Sequence, residues 1–253
     1  MERRILRRES LLLGDSITQY GFSTEAATAP GWVSILADEF IRKVDIINRG
    51  YSGYNTRKVR AILPIVLGEN RREKLLFSTL CLGANDAAPL DDTPLCSGVP
   101  VGEYEDNMVE IAQELLQISD NLVIIAPPPV DADGSMAMGR TMDNTRQYAE
   151  AAERVAKKLG VLFVNAFADL QSEAQWEKDM LIDGVHLTGK GNTSLAKAVL
   201  KALAVKGITP EDIAWDLPGW RDLCRENPAA SLTRDHCEKL GCRNTLDTLG
   251  PLK

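Results

Sequence analysis

The chain predicts a three-layer α/β/α sandwich around a five-stranded parallel sheet, with the strands in flavodoxin-like order. Two observations carry this. Short apolar runs alternate with amphipathic helical stretches, the pattern of repeated βαβ units. Polar, glycine-bearing motifs follow several apolar runs, where open parallel sheets build their sites. The runs at 10–13, 44–48, 75–82, 121–126 and 161–165 read as strands. Helical patterns fill 31–43, 56–67, 103–117, 143–159 and 189–206. The last places Leu195, Val199 and Leu203 on one face, with Lys197, Lys201 and Lys206 elsewhere.

A chain of 253 residues can build one large domain with a substantial core. No repeat, low-complexity stretch or linker divides it, so 1–253 reads as one domain with 207–253 as a C-terminal extension. That extension carries Trp215-Asp216-Leu217-Pro218-Gly219-Trp220, too aromatic for disorder, and is expected to pack on the body or on a second subunit. A homo-oligomer through this tail is therefore open. Within the body, Pro127-Pro128-Pro129 stiffens the end of the fourth strand, and the long loop at 86–102 could rim a crevice.

The formal net charge of -7 argues against nucleic acid or an anionic membrane as the main partner. The basic clusters Arg3-Arg4, Arg7-Arg8 and Arg71-Arg72 are short and read as solvated surface. No run reaches the ~18 apolar residues of a membrane span. The apolar stretch behind the basic N-terminus is only Leu11 to Leu13, so no export signal is expected there. Cys224, Cys237 and Cys242 lie near His236, but their spacing fits no standard zinc pattern. Reduced thiols in a cytoplasmic protein are expected instead, with Cys81 packed in a strand.

Leu11-Leu12-Leu13-Gly14-Asp15-Ser16 is an apolar strand that runs into Gly-Asp-Ser. A serine here can project its Oγ from the crevice, and Gly14, two residues before it, permits a sharp turn. The tripeptide alone is equally a helix cap, since Ser and Asp are favoured there. Far downstream stands Asp183-Gly184-Val185-His186. Nucleophilic catalysis by serine needs a base, a group to orient it, and donors for the oxyanion. In a loop, Asp-x-x-His can bring the carboxylate onto its own imidazole and leave Nε2 free toward Ser16; by itself it is also a structural histidine with a capping aspartate. Two more motifs follow strands: Asn48-Arg49-Gly50-Tyr51-Ser52-Gly53-Tyr54 and Leu82-Gly83-Ala84-Asn85-Asp86. Each alone is ordinary turn chemistry; jointly the four point to a site.

These four blocks, in this order, resemble the SGNH or GDSL-like hydrolases. Gly14-Asp15-Ser16-Ile17 is similar to the nucleophile block, Gly53 to the block II glycine, Asn85 to the block III asparagine, and Asp183-x-x-His186 to block V. The likeness runs from Leu11 to at least Lys206. Finer likenesses to the isoamyl acetate-hydrolysing esterase-like subgroup are Ile124-Ile125-Ala126-Pro127-Pro128-Pro129-Val130-Asp131, Val99-Pro100-Val101-Gly102-Glu103-Tyr104 and Leu217-Pro218-Gly219-Trp220-Arg221-Asp222. The stretch from Met136 to Met142 matches nothing in that pattern.

The resemblance implies the SGNH hydrolase fold and a carboxylic ester hydrolase for small, acetate-like acyl esters. Ser16 would attack the carbonyl, His186 would serve as base and then acid, and Asp183 would orient His186. The oxyanion hole would combine the Ser16 N–H, the Gly53 N–H and the Asn85 side-chain amide, with no cofactor and no metal. Asp15 and Asp86 would hold loops. A thioesterase or lysophospholipase on longer acyl chains and a carbohydrate acetylesterase share the same triad. A binding protein without catalysis would be expected to have lost one of Ser16, Asn85, Asp183 or His186, and a nucleotide-binding domain would need a phosphate loop that the chain lacks.

Overall fold

The computed structural model describes residues 7–22, 29–68, 73–90, 97–172 and 174–232, with Lys239 and Cys242. Five parallel strands form one sheet among them: β1 (Arg8–Gly14), β2 (Val44–Gly50), β3 (Ser78–Cys81), β4 (Leu122–Ile125) and β5 (Leu162–Val164). Their order is β2-β1-β3-β4-β5, the flavodoxin-like order expected from the sequence. The chain runs outward from β1 to β2 and then crosses back to β3. The crevice therefore opens over the carboxyl ends of β1 and β3, where the strand order reverses. The helices, in chain order, are α1 (Ser16–Gln19), α2 (Trp32–Glu39), α3 (Thr56–Leu67), α4 (Val101–Ile118), α5 (Met142–Leu159), α6 (Ala166–Leu170), α7 (Trp176–Met180) and α8 (Gly189–Ala204).

The period-two geometry of the strands divides the core into two layers. Leu11, Leu13, Leu80, Leu82 and Ile124 pack against α3, α4 and α5 through Val59, Leu63, Met108, Ile111, Leu115 and Val155. Leu12, Cys81, Val123 and Ile125 point the other way, against Trp32, Leu36, Leu195, Val199 and Leu203 of α2 and α8. Leu11–Leu13 of β1 and all of β4 are apolar and buried because both faces of the sheet are covered there.

The structure trims several expected boundaries. The apolar run at 75–82 is buried, but only Ser78–Cys81 pairs with both β1 and β4; Leu75 makes an isolated bridge to Ser119. The helical pattern at 31–43 stops at Glu39, since Arg42 turns the chain through a left-handed conformation (φ 61°) into β2. The loop expected at 86–102 gives its last two residues to α4, and Val99 N–H donates back to the Asp86 carbonyl at 3.0 Å. Residues 91–96 of that loop lie outside the described residues, as do His236 and Cys237. The four- and five-residue helices α1, α6 and α7 are too short to show a helical period in sequence.

Beyond α8 the chain runs along the amino-terminal ends of β1 and β2, opposite the crevice. Asp216 is buried there between Arg7 and Arg42, at 3.1 and 3.0 Å, and its N–H donates to the Arg42 carbonyl. The Arg42 guanidinium lies 4.7 Å from the centre of the Trp215 ring. No helix among the described residues is long and apolar enough to cross a membrane.

One buried side chain ties the crevice to the helix layer. Asn192 accepts from Trp32 N–H at 2.9 Å and donates to the Leu187 and Thr188 carbonyls at 3.2 and 2.9 Å. Asn192→Ala leaves the Trp32 N–H and the Leu187 carbonyl without this partner, while the Thr188 carbonyl keeps the Asn192 N–H at 2.9 Å, and is expected to cost about 2 kcal/mol. Urea denaturation measures this as a lower midpoint with an unchanged slope.

Candidate active site

Ser16 is the first residue of α1, directly beyond β1, and is 5% exposed. Gly14 does not adopt a left-handed turn. Its need is space, because a Cβ there would lie 2.1 Å from Thr18 Oγ1 and 2.7 Å from the Cys81 carbonyl. The helix cap is Asp15, whose Oδ1 accepts from Ile17 N–H at 2.9 Å. That arrangement leaves the Ser16 hydroxyl available for another partner.

The partner is His186. Between Leu181 and Leu187, which form an antiparallel bridge, the chain makes a tight turn. Asp183 Oδ1 accepts from Val185 N–H at 3.0 Å and His186 N–H at 2.8 Å, so one carboxylate oxygen builds the turn. The His186 Nδ1–H donates to the other oxygen, Oδ2, at 2.7 Å. With Nδ1 so used, Nε2 accepts from Ser16 Oγ at 2.9 Å. Burial pushes the Asp183 carboxyl up, and the bonds from His186 and Val185 outweigh it, so the carboxyl stands below its ordinary value.

The block II loop leaves β2 beside Ser16. Asn48 donates to the Thr18 carbonyl at 2.8 Å and accepts from Gly50 N–H, while Ser52 N–H donates to Gln19 Oε1 at 2.7 Å. These bonds hold the loop to α1 and place Gly53 at φ 75°, where a side chain would be strained, although the space around its Cβ is open. Asn85 follows β3. Its Nδ2 donates to the Tyr54 carbonyl at 2.9 Å, so the block II and block III loops meet at this amide.

Asp86 turns away from the crevice and accepts from Thr56 N–H at 3.0 Å and Thr56 Oγ1 at 2.5 Å, tying the loop to the start of α3. Asn107 in turn donates to Thr56 Oγ1 at 3.0 Å. Burial raises the Asp86 carboxyl to about 6, against the bonds from Thr56. Burial likewise raises Asp15 to about 7, opposed by Ile17 N–H; the Asp86 charge adds to the rise and Arg140 reduces it.

Sequence reasoning misses two side chains beside the site. Tyr20 packs edge-on to the His186 ring, with centroids 5.6 Å apart; its place one turn after Ser16 is the available signal. Arg140 comes from the stretch between Met136 and Met142 and is 8% exposed. Its Nε donates to the Ala84 carbonyl at 2.6 Å and its Nη2 to Asn85 Oδ1 at 3.2 Å. A lone arginine among small and apolar residues carries no sequence pattern that reveals this. Among the described residues, no group of three or more metal-ligating side chains comes together.

A parallel α/β sandwich with a Ser-His-Asp line at the carboxyl edge of its sheet is the architecture of a hydrolytic enzyme. Residues 12–193 match the GDSL-like lipase/acylhydrolase family. A GDSL esterase/lipase of Arabidopsis thaliana is 34% identical over 239 residues, covering 88% of this chain and 97% of that protein. The isoamyl acetate-hydrolyzing esterase 1 homolog of Mus musculus is 32% identical, covering 89% and 92%. Among solved structures, a lipase/acylhydrolase from Enterococcus faecalis shares the fold with a TM-score of 0.63 at 20% identity, over 80% of this chain and 97% of that one. Axe2, an acetylxylan esterase from Geobacillus stearothermophilus, does so at 0.62 and 21%, over 78% and 94%. The chain belongs to the GDSL-like lipase/acylhydrolase family and is a carboxylic ester hydrolase with the SGNH hydrolase fold.

The raised carboxyls set a pH dependence of stability. A carboxyl raised in the folded state contributes stability below its ordinary value of 3.8, and this is lost as pH rises through about 7 for Asp15 and about 6 for Asp86. Asp183, being lowered, acts only at more acid pH. The Tm is expected to fall between about pH 4 and pH 7, and Asp15→Asn, which keeps the cap acceptor, to flatten that fall. Thermal melts of both proteins across this range measure it.

Proposed function

We propose that the chain is a serine esterase for small, acetate-like acyl esters. Ser16 is the nucleophile, His186 the base and then the acid, and Asp183 the group that orients His186. The observation that carries this reading is the continuous line Asp183 Oδ2–His186–Ser16 Oγ, at 2.7 and 2.9 Å. His186 takes the Oγ proton as Ser16 attacks the ester carbonyl, and Asp183 stabilises the imidazolium. The Ser16 N–H, Gly53 N–H and Asn85 amide receive the oxyanion. One Nδ2 proton of Asn85 is held by the Tyr54 carbonyl, and the other is the catalytic donor. Collapse of the tetrahedral adduct expels the alcohol, protonated by His186, and water then releases the acid by the reverse sequence.

The acetate preference is supported by the relative named for isoamyl acetate and by the acetylxylan esterase that shares the fold. Met136, Met138 and Ile182, exposed beside the Asp183 turn, favour a second reading with longer acyl chains. A series of p-nitrophenyl esters separates the two: a maximum at about two to four acyl carbons supports the first, and one beyond about eight supports the second.

Ser16→Ala is expected to lower kcat by roughly 10⁴-fold or more, with loss of the single adduct that a fluorophosphonate leaves on the wild type by intact mass. Retained turnover removes Ser16 from its role. Asp183→Asn keeps the oxygen that builds the turn and replaces the one that meets the imidazole. It is expected to reduce kcat by roughly 10²-fold or more with KM within about twofold. Steady-state kinetics show whether another carboxylate serves His186 instead.

A further inference from the structure

We propose that Arg140 is a positioning residue: it sets the orientation of the Asn85 amide and links the loop bearing Asn85 to the turn bearing Asp183 and His186. This rests on the reading of Asn85 as an oxyanion donor.

A primary amide can be held either way round, and only one way offers an N–H to the oxyanion. Asn85 stands between two neighbours of fixed polarity. The Tyr54 carbonyl can only accept, and it receives Nδ2 at 2.9 Å. The Arg140 guanidinium can only donate, and its Nη2 gives to Oδ1 at 3.2 Å. Flipping the amide would set oxygen against carbonyl and NH₂ against guanidinium. Tyr54 alone leaves the amide oxygen unheld; Arg140 completes the restraint.

The same side chain reaches across the crevice floor. Nε donates to the Ala84 carbonyl, and Nη1 to the Ala137 and Met136 carbonyls at 3.2 and 3.4 Å. The N–H of Met136 donates to the Asp183 carbonyl at 2.9 Å, and that of Asp131 to the Gly184 carbonyl at 2.9 Å. One guanidinium thus joins the oxyanion loop to a strap that is bonded to the catalytic turn. Met138 and Gly139 are successive left-handed residues (φ 48° and 78°), and they reverse the strap so that Arg140 returns to the interior. A left-handed methionine is strained, and here the strained turn is what delivers the guanidinium to Asn85.

The test is a double-mutant cycle on p-nitrophenyl acetate with wild type, Asn85→Ala, Arg140→Met and the double variant, each checked for folding by circular dichroism. Arg140→Met is expected to lower kcat roughly tenfold with KM within about twofold, and Arg140→Lys to recover part of the loss. In the Asn85→Ala background the same change should cost less than about twofold, because the amide it orients is gone. Equal losses in both backgrounds, or an effect on KM alone, overturn the proposal and leave the oxyanion reading standing. Full kcat in Asn85→Ala removes the oxyanion reading, and the proposal with it. If Arg140→Met does not fold, the cycle run with Arg140→Lys decides by the same criterion.

Discussion

Gly14 pairs with Gly50 on one side and with Cys81 on the other, and this row of the parallel ladder sets the height at which three loops leave the sheet. Ser16, Gly53 and Asn85 stand two, three and four residues beyond it in sequence. Backbone hydrogen bonds in β1, β2 and β3 therefore decide how far apart these groups begin. The local bonds of Asn48, Gln19 and Tyr54 only finish the placement. Glycine at position 14 lets the Cys81 carbonyl and Thr18 come this close, and Gly50 gives the same freedom against Gln19. A side chain at either position would force β1, β2 and α1 apart at the row where the loops converge.

Around Ser16 the chain buries three ionisable side chains. Asp15, Asp86 and Arg140 are each less than a tenth exposed. Burying ionisable groups costs free energy unless their bonding capacity is met. Here Asp15 caps α1, Asp86 holds α3, and Arg140 fills carbonyls from two loops. Apolar residues of similar size would give the loops packing but no direction. The polar groups define which way each backbone turns, and they do so beside the groups that need the narrowest tolerance.

Much of this was legible in the chain. Leu11 to Leu13 and Leu122 to Ile125 announce buried strands because both sheet faces are covered, and the face of Leu195, Val199 and Leu203 announces a helix. The Asp183–His186 contact was legible because it is local: the spacing of three in a turn leaves the carboxylate few other places to go. What was hidden depends on residues distant in sequence. Arg140 meets Asn85 from 55 positions away, and Asp86 finds Thr56 across 30. No periodicity encodes such a meeting. The early end of α2 is hidden for a similar reason, since Arg42 is held by Asp216 of the tail.

Gly134 and Gly184 bring two backbones together with no side chain between them: a Cβ at Gly134 would lie 2.4 Å from the Asp183 carbonyl, and one at Gly184 2.6 Å from the Asp131 carbonyl. The strap therefore grips the turn through its main chain, while Met136 and Met138 face solvent. Anchoring and solvent-facing surface are carried by different atoms of the same loop. The side chains at 136 and 138 can change while the main-chain contact stays as it is. The hold on the Asp183–His186 turn is therefore indifferent to which residues stand on the outside of the strap.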